Sequence, residues 1–253
     1  MPELRGFGGS GCNFTNSKAL VTTRAGKPGS RFKAGDLKTS NKGGSSGGPL
    51  AVSGRSFLLS LPAAFLLWYV TFQVNVLSFW ERISASATVL LLISLALGRS
   101  GMSFKGSGGR GILAGVVSAV LLYLFFWSGF QVLRSNSTFI GQVSSVYLFR
   151  TSEPSYLIFL LLLFPIGPAE ETYWRGFIQR NFQEMTRGRT AIVATSALYS
   201  LIHLPTLNPS LIFVALVGGL VWGYLYRRFN NLLPAVVSHI LFDELVFVLL
   251  PLG

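Results

Sequence analysis

Charge is what this chain has least of. Only 12% of its 253 residues are Asp, Glu, Lys or Arg, about half the ~25% of a soluble domain. Acids are the scarcer sign, nine against 21 Lys and Arg, which leaves a net charge of +12. A single cysteine, Cys12, excludes an intramolecular disulfide and offers no metal or redox motif. There is no HExxH helix, no GxSxG elbow and no Gly-rich phosphate loop after a strand. No internal repeat is visible, which argues against a transporter built from inverted halves. Against these absences, half of the residues are hydrophobic and the mean hydropathy is +0.53. Such a chain is not an ordinary soluble enzyme or a disordered protein. The expected class is all-α, a polytopic transmembrane bundle of about seven helices with a disordered N-terminal tail.

The basic excess does not read as a nucleic-acid surface, and no nucleic-acid partner is expected. Nine of the 21 Lys and Arg precede Phe57, and nearly all the others lie between apolar stretches, the pattern that the inner face of a membrane selects. Residues 1–56 are rich in Gly, Ser and Thr and hold only two acids, Glu3 and Asp36. Runs such as residues 42–49 bury too little apolar surface to offset the entropy of ordering. The segment reads as a disordered basic tail. A transit peptide has the same composition, and an early start codon gives a third reading.

The remainder, 57–253, reads as the membrane domain. Apolar runs cover 57–79, 83–97, 112–130, 155–167, 190–204, 211–226 and 232–252. The fourth continues into a polar helix, and 139–149 suits an interfacial helix. The stretches between runs carry their Lys and Arg mostly on one side: the tail, then Arg99, Lys105 and Arg110, then Arg180, Arg187 and Arg189, then Arg227 and Arg228. The other side has only Arg82, Arg134 and Arg150. This asymmetry places the N-terminus in the cytoplasm. Gly219 and Gly223 form a small-xxx-small pair, read as a packing face. Asn13 and Asn136 fit the glycosylation pattern, which is too short to carry weight.

An ionisable side chain within a span is costly, so each is a site candidate by default. Glu170, Glu171 and Arg175 end the fourth run. His203 lies in the fifth; His239, Asp243 and Glu244 lie in the seventh. These are the only two histidines, and four of the nine acids belong to the set. Glu171 and Arg175, Tyr199 and His203, and His239 and Asp243 are each i,i+4, so three helices each present a polar pair on one face. Glu170 is turned about 100° from Glu171 and meets other partners.

Two carboxylates and two imidazoles in a wet membrane cavity suit peptide hydrolysis, which needs a base for water, a group for the oxyanion and an acid for the leaving amine. His203, His239 and Glu170 are also donors that zinc accepts, with an open position for water. Plainer readings stand beside these: Glu171 with Arg175 as a structural pair, each histidine as a satisfied core residue, Tyr199 as packing with its hydroxyl satisfied, Glu244 reaching a headgroup or a backbone donor, Trp174 and Tyr224 as belt or packing residues. Proton-coupled transport through the same carboxylates, and a non-catalytic immunity or scaffold protein, are the competing functions.

Glu170-Glu171-Thr-Tyr-Trp-Arg175 resembles the EExxxR motif of the CPBP intramembrane proteases, the family of CAAX prenyl endopeptidases and bacteriocin-processing proteins. Tyr199-Ser-Leu-Ile-His203 resembles its FxxxH motif, and His239-Ile-Leu-Phe-Asp243 its HxxxN or HxxxD motif. The resemblance spans roughly 155–250. It implies a helical membrane endopeptidase acting on a peptide or protein substrate, with its cavity open to the cytoplasmic side and the bilayer, and residence in a bacterial cytoplasmic membrane. It implies that Glu170 activates water, that His203 binds or orients it, that His239 and Asp243 stabilise the oxyanion, and that Glu171, Arg175 and Tyr199 support them. Asp243 departs from the Asn of the prenyl endopeptidases. An ionised Asp cannot donate to an oxyanion, so fixing the tautomer of His239, accepting a proton or ligating a metal suits it better.

Overall fold

The computed structural model describes residues 56–97 and 108–252. The tail, Cys12, Asn13, Arg99 and Lys105 lie outside them. Among the described residues there are eight helices and no strand, an all-α fold. A turn of 3₁₀-helix precedes α1 (Leu61–Gln73), whose second residue, Pro62, sits where a helix has no partner for an N–H. The apolar run 57–79 is therefore not one continuous helix: it breaks after Gln73, and α2 (Phe79–Ala96) begins at a capping box. Ser78 Oγ accepts from the Glu81 N–H at 3.3 Å, and Glu81 Oε2 accepts from the Ser78 N–H at 2.9 Å.

Helix α3 (Gly108–Leu133) follows, then α4 (Ser137–Tyr147), capped by Asn136 Oδ1 on the Phe139 N–H at 2.9 Å. None of the residues of α4 is buried. Helix α5 (Ser155–Met185) has two departures from regular winding. At Phe164 the backbone leaves the helix (φ −150°, ψ 116°) because Pro165 follows. From Thr172 to Gln179 it winds as a π-helix, all eight residues buried, a feature that concentrates at functional sites. Helix α6 (Gly188–Leu201) leads through a 3₁₀ turn at Leu204–Thr206 into α7 (Pro209–Phe229), capped by Asn208. Helix α8 (Leu233–Asp243) continues as a wider turn to Leu249.

Four of these helices, α2, α3, α5 and α7, are long and apolar enough to cross a membrane. Their outward faces keep large apolar side chains such as Leu92, Leu113, Leu121 and Phe213 exposed, as a surface solvated by lipid does. The interior is a single main cluster to which Trp68 of α1, Leu90 of α2, Leu122 of α3, Trp174 of α5, Tyr199 of α6 and Trp222 of α7 contribute.

Two close approaches set the geometry of the interior. A Cβ on Gly167 would lie 2.5 Å from the Ile240 side chain, so its absence lets the start of the polar half of α5 lie against α8. On α7, a Cβ on Gly219 would come within 3.1 Å of Ser196 on α6. The Gly219 and Gly223 pair is thus the packing face expected of it. It also leaves two carbonyls open to α5: Arg175 Nη2 donates to Gly219 O at 3.3 Å, and Gln179 Nε2 to Gly223 O at 2.9 Å.

Candidate active site

Glu170, Glu171 and Arg175 come from the stretch of α5 where regular winding gives way to the π-helix. All three are buried, Glu171 and Arg175 completely. The expected pair forms: Arg175 Nη1 donates to Glu171 Oε1 at 2.8 Å. The same oxygen has a second partner, His239 Nδ1 of α8, also at 2.8 Å. Arg175 further lies over the rings of Tyr199 and Trp222, 4.9 and 5.2 Å from their centroids. A buried guanidinium is tolerable only when its charge and donors are met. Here a carboxylate at Nη1, a backbone carbonyl at Nη2 and two aromatic faces meet the charge, while Nε has no hydrogen-bond partner among the described residues.

Glu170 points elsewhere, as its place on the helix requires. Its Oε2 accepts from the Tyr199 hydroxyl of α6 at 2.9 Å. Tyr199 therefore does more than pack. Its carbonyl also faces His203 Nδ1 at 2.8 Å, so one residue bonds both the carboxylate of the first motif and the histidine of the second. The remaining nitrogen of His203, Nε2, accepts from the indole N–H of Trp68 at 3.3 Å. An indole only donates. Nε2 is then the bare nitrogen, and Nδ1 carries the proton donated to the Tyr199 carbonyl.

His239 is held at both nitrogens. Glu171 lies at Nδ1, and Asp243 Oδ2 lies 3.3 Å from Nε2. Both partners are acceptors when ionised, so the arrangement suits a ring donating from both sides. Asp243 thus sits against the ring nitrogen that Glu171 leaves free. The imidazole face is covered by the indole of Trp222, stacked with centroids 3.9 Å apart and planes 17° from parallel.

Glu170, Tyr199, His203, Trp222, His239 and Asp243 border one cavity of about 160 Å³. Its other walls are mainly aromatic and aliphatic, among them Phe72, Phe79, Trp80 and Leu162. The helix motifs, far apart in sequence, are thus brought to a shared space, while Glu171 and Arg175 stand outside its lining and hold His239. Glu244 is not part of it. It is buried, with neither carboxylate oxygen hydrogen-bonded among the described residues, and does not reach the backbone donor that was one expectation. Trp68 and Trp222 carried no signal in the sequence: a tryptophan in an apolar run looks the same whether it fills space or grips a histidine.

The zinc donors anticipated in His203, His239 and Glu170 do not fit a metal as arranged. The lone pair of His203 is engaged by Trp68, and His239 faces a carboxylate at each nitrogen. Among the described residues no three His, Cys, Asp or Glu side chains are grouped to hold an ion.

No curated protein and no solved structure matches the chain. A family model does, over the stretch that holds all three motifs, in a chain with four helices long and apolar enough to cross a membrane. Residues 152–245 match the model described as type II CAAX prenyl endopeptidase Rce1-like, the CPBP and CAAX protease family that the EExxxR, FxxxH and HxxxD motifs resemble.

Proposed function

We propose that the protein is an intramembrane endopeptidase that hydrolyses a peptide bond in a membrane-associated or lipidated substrate with water activated by Glu170. The catalytic unit is residues 57–253, its motif-bearing core 155–250, and the N-terminus is cytoplasmic. One observation carries the reading: Glu170, His203, His239 and Asp243 border the same cavity.

Hydrolysis proceeds as follows. The scissile amide enters the cavity beside Glu170. The Tyr199 hydroxyl holds Oε2, and the carboxylate takes a proton from water as the water oxygen attacks the carbonyl carbon. His203, immobilised at both nitrogens, forms the wall beside that water. The carbonyl oxygen gains negative charge and is met by the Nε2–H of His239, whose other nitrogen remains on Glu171. Asp243, with its side chain partly open to the cavity, keeps Nε2 protonated before the oxyanion arrives. Collapse of the tetrahedral species breaks the C–N bond, and Glu170 returns its proton to the leaving amine. No step needs a metal.

The test is cleavage by purified full-length protein. A pool of membrane-anchored and lipidated peptides is reconstituted in liposomes with wild type or Glu170→Gln, and new termini are read by mass spectrometry. Termini produced by the wild type alone support the reading. Termini produced equally by both remove Glu170 as the base.

A further inference from the structure

Trp222 lies outside all three motifs, on α7, yet it makes the most intimate contact in the site. Its indole stacks on the His239 imidazole at 3.9 Å and 17°. Its N–H donates to Ser238 Oγ at 3.2 Å, on the residue next to His239 in α8. Ser238 Oγ in turn accepts from Ser118 Oγ of α3 at 2.9 Å. The indole is thus pinned at its edge to the helix that carries the histidine, and a third helix braces the pin. Ser238 is fully buried and Trp222 nearly so.

A histidine ring turns about its Cβ–Cγ bond over a broad, soft torsion. Here a small turn would lift Nδ1 from Glu171 and Nε2 from Asp243 together, because the two nitrogens lie on one rigid ring. In-plane hydrogen bonds resist that turn weakly; a flat surface against the ring face resists it directly. The indole also presents its electron-rich face to a ring that both carboxylates favour in its cationic form. Arg175 lies 5.2 Å from the centroid of the same indole, so the guanidinium that pairs with Glu171 also packs on the plate that backs His239.

We propose that Trp222 is a positioning residue for His239: its indole, anchored through Ser238 to Ser118, holds the imidazole in the plane in which Glu171 and Asp243 are both reached. This rests on the endopeptidase reading for its effect on rate, and on geometry alone for its effect on the ring. Trp222 acts on the substrate only through His239.

The experiment compares full-length wild type, Trp222→Leu, Trp222→Phe and Ser238→Ala in detergent, with proton NMR of the His239 ring N–H groups and steady-state cleavage. Only two histidines are present in the chain, so a His203→Ala background assigns the signals. Expected for Trp222→Leu are loss of the exchange-protected Nδ1–H resonance and a fall in kcat of at least about tenfold, the scale on which a misplaced group acts, with little change in KM. Trp222→Phe, which keeps an aromatic plate, restores the resonance and most of the kcat. Ser238→Ala gives an intermediate loss. A protected Nδ1–H and unchanged kcat in Trp222→Leu would overturn the proposal. If Trp222→Leu fails to fold, wild-type behaviour of Ser238→Ala overturns the anchored plate, and a weakened resonance there upholds it. If the wild type cleaves nothing, the endopeptidase reading fails, while the resonances still decide whether Trp222 positions the ring.

Discussion

His239 Nδ1 and Glu171 Oε1 lie 2.8 Å apart although 68 residues separate them in the chain. This bond ties the third motif to the first, and it lets one carboxylate oxygen serve both an arginine and a histidine. The absence of a side chain at Gly167 makes the approach of the two helices feasible.

Breaking that arrangement from the arginine side should be costly. Arg175→Met leaves Glu171 buried with its main counter-charge gone. A loss of about 3–5 kcal/mol is expected for a buried pair broken on one side, read as a large drop in the melting temperature in detergent. A melting temperature near that of wild type would mean that the pair contributes little to the fold.

Gly167→Ala puts a Cβ where the Ile240 side chain already lies. Overpacking of this kind costs about 1–3 kcal/mol. Because the strain falls between α5 and α8, cleavage should drop by more than the stability loss alone explains. Thermal unfolding and kcat measured on one preparation test this, and a change in neither would show that the helices part without consequence.

The family motif has Phe where this chain has Tyr199, whose hydroxyl bonds Glu170. Removing one such bond is worth about 1 kcal/mol. Tyr199→Phe should therefore stay folded and retain cleavage within about tenfold of wild type. Complete inactivation would assign the hydroxyl a direct part in the reaction.

Much of this was legible beforehand, and the reasons are physical. Apolar helices announce themselves because lipid tolerates few charges, so α2, α3, α5 and α7 could be read from their apolar runs. Glu170, His203 and His239 stood out because an ionisable group in such a run needs a reason. The kink at Phe164 follows from Pro165. The break after Gln73 was missed because the run stays largely apolar across it, with Gln73, Asn75 and the capping Ser78 as its polar marks. Trp68 and Trp222 were missed because their roles depend on what other helices bring opposite them. The unpaired burial of Glu244 was hidden for the same reason: sequence fixes which helix a side chain rides on, while tertiary packing decides its neighbours.

With His203 Nε2 engaged by Trp68 and both nitrogens of His239 at carboxylates, cleavage should be indifferent to a strong chelator and unaffected by added zinc. Inactivation by the chelator that zinc reverses would place a metal in the site.

The most direct measurement of the central claim is hydrolysis in heavy-oxygen water by wild type and Glu170→Gln, both shown to be folded. The account predicts that wild type places one heavy oxygen on each new carboxyl terminus. It predicts that Glu170→Gln is slower by about a hundredfold or more, the scale of a lost general base. Equal rates of label incorporation by the two proteins would contradict it.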